Sequence, residues 1–151
     1  MHISCIRKLH FCSGHRVRGH ENKCANLHGH NYQIELEAES ILTTEELDTV
    51  GRVVDFSVIK ATYDPWIQRE WDHGFILNKE DTEAINRISG FAVGPKQTQK
   101  IFLLDSNPTA ENLGVFLLTH HLFVQALAQY GVRIKSVVVH ETPNCSSTVT
   151  R

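Results

Sequence analysis

The most regular alternation of hydrophobic and polar residues lies between His30 and Glu39. One face of an extended chain would carry the apolar side chains Tyr32, Ile34, Leu36 and Ala38. The other face would carry the polar side chains Gln33, Glu35, Glu37 and Glu39. This pattern predicts a strand with one buried and one solvated face, which is typical of an antiparallel sheet.

Three other segments have strand-like composition. β-Branched and aromatic residues predict a strand over Ile3–Cys12, followed by a long polar loop over Ser13–Leu27. Near the other end, the valine-rich stretch Arg133–Glu141 and the short stretch Ser146–Thr150 predict the last two strands. Each would lie in the same antiparallel sheet.

Two helices are predicted between these pairs of strands. The first follows the polar connector Ile41–Gly51, with Asp55 as its N-cap. Its apolar residues Phe56, Ile59, Tyr63 and Ile67 have helical spacing, and Pro65 predicts a kink or a restart. The second helix begins at Asn107-Pro108-Thr109 and ends at Gly131, with an apolar stripe of Leu113, Phe116, Leu117, Val124 and Leu127.

The long segment 79–106 has no clear counterpart in this scheme. Within it, Thr82–Ile88 predicts a short helix and Lys100–Leu104 predicts a strand. Two strands, two helices and two strands remain as the main order, which predicts an α+β fold with the helices on one face of an antiparallel sheet. We find no repeat or linker, so residues 1–151 are expected to form a single domain.

Composition excludes several functional classes. The formal charge is −2, with 15 basic and 17 acidic residues, so neither a nucleic-acid coat nor a polybasic membrane anchor is expected. No apolar run is long enough to span a membrane, and the charged start does not resemble a signal peptide. The four cysteines are therefore predicted to be reduced thiols in a cytoplasmic protein.

Histidine is over-represented, with ten in the chain, and three of them have a spacing that predicts a metal site. His28 and His30 stand two residues apart at a strand entry, so both imidazoles would project from the same face. His15, at the end of the first predicted strand, is the natural third ligand if the two strands pair. Three imidazoles would leave one position of a tetrahedral zinc open for water or substrate.

Cys24 lies four residues before His28, and its spacing leaves three interpretations open. It would close a structural zinc site as a fourth ligand, act as a reactive thiolate beside the ion, or be an inert small residue. Two other features are weaker by themselves. Asp72-His73 is an acid/base type of pair, and Glu141 is a carboxylate at the end of an apolar strand.

Six segments in register resemble the family of the 6-pyruvoyltetrahydropterin and 6-carboxytetrahydropterin synthases. They are F-C-S-G-H (11–15), C-A-N-L-H-G-H-N-Y (24–32), V-D-F (54–56), W-D-H (71–73), N-P-T-A-E-N (107–112) and H-E-T (140–142). The resemblance implies the tunnelling fold, with a four-stranded antiparallel sheet in ββααββ order and two helices on one face. It also implies an oligomeric barrel, either a trimer or a homo-hexamer built as a dimer of trimers.

The resemblance also assigns roles to the candidate residues. His15, His28 and His30 match the ligands of one Zn²⁺ per subunit, and Cys24 matches the catalytic thiol. Asp72 and His73 match a proton-transfer pair that a neighbouring subunit can supply. Glu141 matches the carboxylate that binds the pterin ring, and Thr109 matches a second pterin contact.

The implied substrate is 7,8-dihydroneopterin triphosphate. Three residues separate Cys24 from H-G-H, as in the 6-carboxy type, which releases acetaldehyde and triphosphate on the way to queuosine and other 7-deazapurines. The 6-pyruvoyl type, which only eliminates triphosphate, is the alternative enzyme, and a non-catalytic zinc protein is the third possibility. A basic loop containing Arg16, Arg18, His20 and Lys23 is a candidate to attract the phosphate tail.

Overall fold

A six-stranded mixed sheet and a separate two-stranded hairpin make up the β-structure of the computed structural model, which describes residues 1–42, 47–95 and 97–151. The strands are β1 (Cys5–His15), β2 (His28–Ser40), β3 (Gly74–Asn78), β4 (Ala92–Gly94), β5 (Gln97–Thr98), β6 (Ile101–Leu104), β7 (Val132–Thr142) and β8 (Cys145–Thr150). The large sheet has the order β6-β3-β1-β2-β7-β8, and β4 and β5 form the hairpin. Residues 43–46 of the predicted polar connector lie outside the described chain.

Four of the strands confirm the predicted antiparallel neighbours, because β1 pairs with β2, β2 with β7, and β7 with β8. The prediction of a purely antiparallel four-stranded sheet is nevertheless wrong. Strand β3 pairs in parallel with the end of β1, and β6 pairs in parallel with β3. The predicted strand Lys100–Leu104 is β6, whereas the apolar run that forms β3 is too short for periodicity to identify.

The predicted loop Ser13–Leu27 begins too early. Ser13, Gly14 and His15 continue β1, because they pair with β2 on one side and with β3 on the other. Backbone hydrogen bonds to two neighbours outweigh the polar composition that favours a loop here. As a result, His15 is held on a strand directly opposite His28.

The described residues contain four helices, rather than the two predicted for the main scheme: α1 (Phe56–Glu70), α2 (Thr82–Ser89), α3 (Ala110–Thr119) and α4 (His121–Ala128). Helix α2 confirms the short helix predicted over Thr82–Ile88. The Asp55 side chain accepts a hydrogen bond from the Ser57 N–H, as expected of the N-cap of α1. Helix α1 continues through Pro65 without a restart. Pro65 lies on the exposed side of α1, where solvent can replace the missing hydrogen bond.

The second predicted helix is broken at His120, which has extended backbone with ψ of 124°. Its carbonyl accepts hydrogen bonds from the N–H groups of Phe123 and Val124 at the start of α4. The His120 ring also packs against Phe116, with a centroid distance of 4.6 Å, and near Trp66. Tertiary packing of aromatic rings accompanies the break, and the apolar stripe in the sequence does not show it.

The core lies between one face of the sheet and α1, α3 and α4. Tyr32, Ile34, Leu36 and Ala38 are all buried there, which confirms the alternation seen in the sequence. Leu9 and Phe11 from β1 extend the same layer, and their register continues to His15. The end of the core face therefore carries polar residues instead of apolar ones.

The opposite face of β2 carries carboxylates that are matched by neighbouring donors. Glu37 accepts hydrogen bonds from Ser136 at 2.5 Å, Ser4 at 2.7 Å and Lys135 at 3.0 Å. The Ser136 hydrogen bond, with those of Ser4 and Lys135 added, outweighs the effect of burial and lowers the pKa of Glu37 to about 2.

This arrangement makes part of the stability depend on pH. Because the folded pKa lies below the usual 4.5, the contribution of Glu37 is fully present above about pH 4.5 and is lost as pH falls toward 2. We expect Glu37→Gln to lower the unfolding free energy by about 1–2 kcal/mol at pH 7 and much less near pH 2.5. Urea unfolding at both pH values measures this, with the exposed Glu21→Gln as control; an equal loss at both values would contradict it.

Candidate metal centre and active site

Three histidines converge at the polar end of the core face. The ligand nitrogens of His15, His28 and His30 all lie within 4.8 Å of one another. Strand pairing accounts for this, since His15 is opposite His28 and the two-residue period of β2 places His30 on the same face. The prediction that these side chains cluster is confirmed.

Hydrogen bonds orient two of the three rings toward a common point. His15 Nδ1 lies 2.7 Å from the carbonyl oxygen of Pro108, and His28 Nδ1 lies 2.8 Å from that of Asn26. A carbonyl only accepts, so in the neutral form of each ring Nδ1 carries the proton and Nε2 presents a lone pair. The two Nε2 atoms are 3.1 Å apart.

This geometry fits a bound divalent ion. Two lone pairs at 3.1 Å repel unless a proton or a cation lies between them, and two nitrogens on a tetrahedral zinc are separated by about 3.3 Å. The Nε2 atom of His30 is buried without a hydrogen-bond partner, which an ion would supply. The three rings can therefore hold a metal ion.

The protonation state of the cluster also suits a metal. Burial lowers the pKa of His15 to about 4, against the opposing effect of its hydrogen bond to Pro108, and the imidazoles of His28 and His30 lower it further. Burial, and then His28, also lowers the pKa of His30. Neutral imidazole is the form that binds a cation, so at His15 and His30 no proton must be removed near neutral pH.

A cavity of about 230 Å³ adjoins the cluster at His15. It is also lined by Cys24, Thr109, Glu111, Glu141 and Cys145. Cys24 lies in the 3₁₀ turn Lys23–Ala25, Thr109 is the N-cap of α3, and Glu141 lies near the end of β7. Three of the residues predicted as thiol and substrate contacts are thus brought together with a candidate metal ligand.

Glu141 has an unusual environment within this cavity. Burial, and then the nearby carboxylate of Glu111, raises the pKa of Glu141, while His28 acts in the opposite direction. A half-buried carboxylate of this kind gains from a ligand that offers N–H donors. Glu111 and Cys145, for which the sequence predicts no role, also line the cavity, as does His20 of the basic loop.

The Asp72-His73 pair is formed, but it lies in a different place. His73 Nδ1 is 2.5 Å from Asp72 Oδ2, and Asp72 Oδ1 accepts a hydrogen bond from the Cys12 N–H at 2.8 Å. Burial opposes ionisation of Asp72, yet the hydrogen bonds from Cys12 and His73 lower its pKa overall. His73 lines another cavity, of about 420 Å³, together with Cys12, Asn31 and the glycines 14, 29 and 74.

The basic loop is largely neutralised by acidic residues. Arg16 forms a two-point ion pair with Asp81, with N–O distances of 2.5 and 2.6 Å, and Arg18 pairs with Glu80 at 3.3 Å. The charge that was predicted to attract a phosphate tail is therefore balanced within the chain at Arg16 and Arg18. His20, from the same loop, lines the 230 Å³ cavity.

Comparisons with known proteins agree with this geometry. The family model described as 6-pyruvoyl tetrahydropterin synthase matches residues 4–151. A protein of Rickettsia felis named 6-carboxy-5,6,7,8-tetrahydropterin synthase is 35% identical over 143 residues, which cover 95% of this chain and 96% of the relative. A Halobacterium salinarum protein named as a probable synthase of the same kind is 34% identical over 143 residues, with 95% and 83% covered.

Solved structures share the fold. An uncharacterized protein from Wolinella succinogenes superposes with a TM-score of 0.79 at 23% identity, covering 99% of this chain and 98% of that one. The 6-pyruvoyltetrahydropterin synthase of Plasmodium vivax, as a catalytic-residue mutant, superposes with a TM-score of 0.69 at 19% identity, covering 99% and 97%. None of the four helices in the described parts of the chain is long and apolar enough to cross a membrane. The family match over nearly the whole sequence shows that this chain belongs to the 6-pyruvoyl tetrahydropterin synthase family of enzymes.

Proposed function

We propose that this protein is a zinc-dependent carbon–carbon lyase of the 6-carboxytetrahydropterin synthase type. It converts 7,8-dihydroneopterin triphosphate and one water into 6-carboxy-5,6,7,8-tetrahydropterin, acetaldehyde and triphosphate. The product belongs to the route to queuosine and other 7-deazapurines. Support for this choice comes from the names of the relatives at 34–35% identity and from the three-residue spacing between Cys24 and His28.

One observation carries the proposal. His15 belongs to the three-histidine cluster and also lines the cavity that Cys24, Thr109 and Glu141 line. A metal ligand, a thiol and a carboxylate therefore face one space. A substrate bound there would have one end near the cluster and the other near Glu141.

Each of the predicted site residues at this cavity has a role that its chemistry supports. The carboxylate of Glu141 accepts two parallel N–H bonds from the amino-pyrimidinone edge of the pterin, and Thr109 adds a second contact. Cys24, as thiolate, removes a proton from the substrate side chain. His15, His28 and His30 would hold the zinc ion, which would supply Lewis acidity and so make the C–H and O–H bonds next to the side-chain hydroxyls easier to ionise.

The Asp72-His73 pair completes the proton transfers from a neighbouring subunit. Its imidazole is 81% exposed and lines a different cavity from Cys24, one that His30 of the histidine cluster also lines. The Cys24 cavity is also slightly smaller than the roughly 300–1,000 Å³ typical of small-molecule sites, which suits a site whose remaining wall comes from a partner. We accordingly propose a trimer or a hexamer of two trimers.

The alternative reaction is that of 6-pyruvoyltetrahydropterin synthase, which shares the family model and the fold. Both reactions begin with the same substrate, and only cleavage of the side chain yields acetaldehyde. The products therefore separate the two reactions directly.

Purified protein loaded with Zn²⁺ should release acetaldehyde and triphosphate in equal amounts from 7,8-dihydroneopterin triphosphate. Coupled alcohol dehydrogenase measures the aldehyde, and chelator-treated protein is the control, expected to be inactive until zinc is restored. Triphosphate without acetaldehyde would assign the 6-pyruvoyl reaction. No turnover with a full complement of zinc would refute both reactions.

A further inference from the structure

We propose that the ion pair between Arg16 and Asp81 is a positioning device, through which the segment 79–106 holds the Cys24 loop in its reactive geometry. This inference rests on the proposed function, in which Cys24 is the base. The loop concerned is 16–27, which connects the metal-cluster residues His15 and His28 and contains Cys24. The sequence patterns predict no function for the segment 79–106.

The pair itself is strong and largely shielded from water. Asp81 is only 3% exposed, and both of its oxygens accept hydrogen bonds from Arg16, at 2.5 and 2.6 Å. Two parallel charge-assisted bonds define the direction of the guanidinium as well as its distance. A buried carboxylate that lost this partner would be costly, so the loop and the segment are expected to order together.

Asp81 is itself held in place by local structure. It is the N-cap of α2, and its Oδ1 accepts a hydrogen bond from the Ala84 N–H at 3.2 Å. The apolar side of α2 packs through Ala84 and Ile88 against Leu77 of β3. Since β3 pairs with the end of β1 at His15, the carboxylate that holds Arg16 is tied to the strand that carries a candidate metal ligand.

A second contact holds the same loop at Arg18, two residues after Arg16. Asn107, which follows the segment directly, donates from Nδ2 to the Arg18 carbonyl at 2.9 Å and accepts from the Arg18 N–H at 3.2 Å. The next residue, Pro108, provides the carbonyl that orients His15. The loop is thus held on both sides of Val17, by Asp81 through Arg16 and by Asn107 through Arg18.

Val17 connects these contacts to Cys24. Its N–H donates to the Cys24 carbonyl at 2.8 Å, and its carbonyl accepts from the His20 N–H at 3.2 Å. Val17 also lines the same cavity as Cys24. A shift of Arg16 would therefore move Val17, and Val17 would move the backbone of Cys24 through this hydrogen bond.

The neighbouring pair between Arg18 and Glu80 provides a matched control. Both of its side chains are more than half exposed, at 52% and 67%, and they meet through one contact of 3.3 Å. Exposed pairs of this kind contribute little. Glu80 and Asp81 are adjacent, so replacing either carboxylate by its amide makes the same chemical change at two levels of burial.

The test compares Asp81→Asn with Glu80→Gln in the zinc-loaded, full-length protein. Asparagine caps a helix as well as aspartate does, so α2 keeps its cap while Arg16 loses its two-point ion pair and keeps only the exposed Glu83, at 3.6 Å, as a charged partner. We expect kcat to fall about 10- to 100-fold in Asp81→Asn, as for a misplaced reacting group, and to stay within about twofold in Glu80→Gln. Zinc content should be unchanged in both.

A readout that does not depend on turnover separates this inference from the proposed function. Alkylation by iodoacetamide, followed by mass spectrometry at Cys24 and at the exposed Cys12, reports the environment of the loop without substrate. We expect the ratio of the Cys24 rate to the Cys12 rate to change at least about fivefold in Asp81→Asn and not in Glu80→Gln. An unchanged ratio together with an unchanged kcat would overturn the positioning role.

Two further outcomes are also decisive. If Asp81→Asn does not fold, the test uses Arg16→Lys instead. Lysine keeps one ion pair with Asp81 but lacks the two-point geometry of arginine. We then expect the same alkylation ratio to change, by less than the roughly fivefold expected for Asp81→Asn. A ratio equal to that of the unmodified protein would then refute the inference. If the unmodified enzyme has no turnover while the ratio still changes, the proposed function fails and the structural coupling stands.

Discussion

Replacing Cys24 with alanine is expected to lower kcat by about 10²- to 10⁴-fold, the range that a positioned acid–base group contributes. Zinc content and melting temperature should remain those of the unmodified protein. The reason is the division of roles at the site: the thiol lines the cavity, whereas the metal nitrogens come from the three histidines. Among the described residues, the cluster of potential ligand atoms does not include Cys24.

A matched control is available in the same cavity. Cys145 also lines it, at the turn of the β7–β8 hairpin, but no step of the proposed reaction uses its thiol. Cys145→Ala should therefore leave kcat within about threefold. Steady-state kinetics, metal analysis and thermal unfolding of both variants decide the matter. Loss of zinc and of stability in Cys24→Ala would instead make Cys24 a fourth ligand of a structural site.

The second large effect is expected at His73. His73→Ala should reduce kcat by about 10²-fold or more, because Asp72 holds its imidazole through Nδ1 and leaves Nε2 free for proton transfer. His73 adopts a left-handed backbone with φ of 55°, and its N–H donates to the Cys12 carbonyl at 2.7 Å. The turn that precedes β3 thus presents the ring to solvent in a defined position.

The two halves of the site predict complementation between inactive variants. Equal amounts of His73→Ala and Cys24→Ala, dissociated and reassembled together, should recover about one quarter of full activity if each site takes its thiol and its imidazole from different subunits of a symmetric ring. His10→Ala, an exposed histidine on β1 outside the motifs, is the control and should stay fully active. Two inactive variants that remain inactive after mixing would show that both groups come from one subunit.

The geometry of the histidine cluster follows from local sequence to a large extent. The two-residue period of β2 places His28 and His30 on one face, and pairing of β1 with β2 adds His15. The same alternation identifies the buried residues Tyr32 and Ile34. Such features depend on the geometry of a strand and its nearest neighbour, which a short stretch of sequence encodes.

The placement of the remaining site residues depends on longer connections. Cys24 and Glu141 line one cavity although they are over a hundred residues apart in sequence. Strand β7 pairs with β2, and Asn107, shortly before α3, is hydrogen-bonded to Arg18 of the loop 16–27. The motifs identified these residues only through resemblance to a family. No periodicity in the chain predicts that they line one cavity.

The sequence by itself determined the four antiparallel strands, the core face of β2 and the pairing of histidines on it, because a strand has a fixed period and burial selects one face. Only the tertiary structure decided that β3 and β6 extend the sheet in parallel, that His120 divides a helix, and that Asp81 holds Arg16. These features arise from contacts between residues that are distant in the chain. Such contacts are chosen by how the whole core and its buried charges are satisfied together.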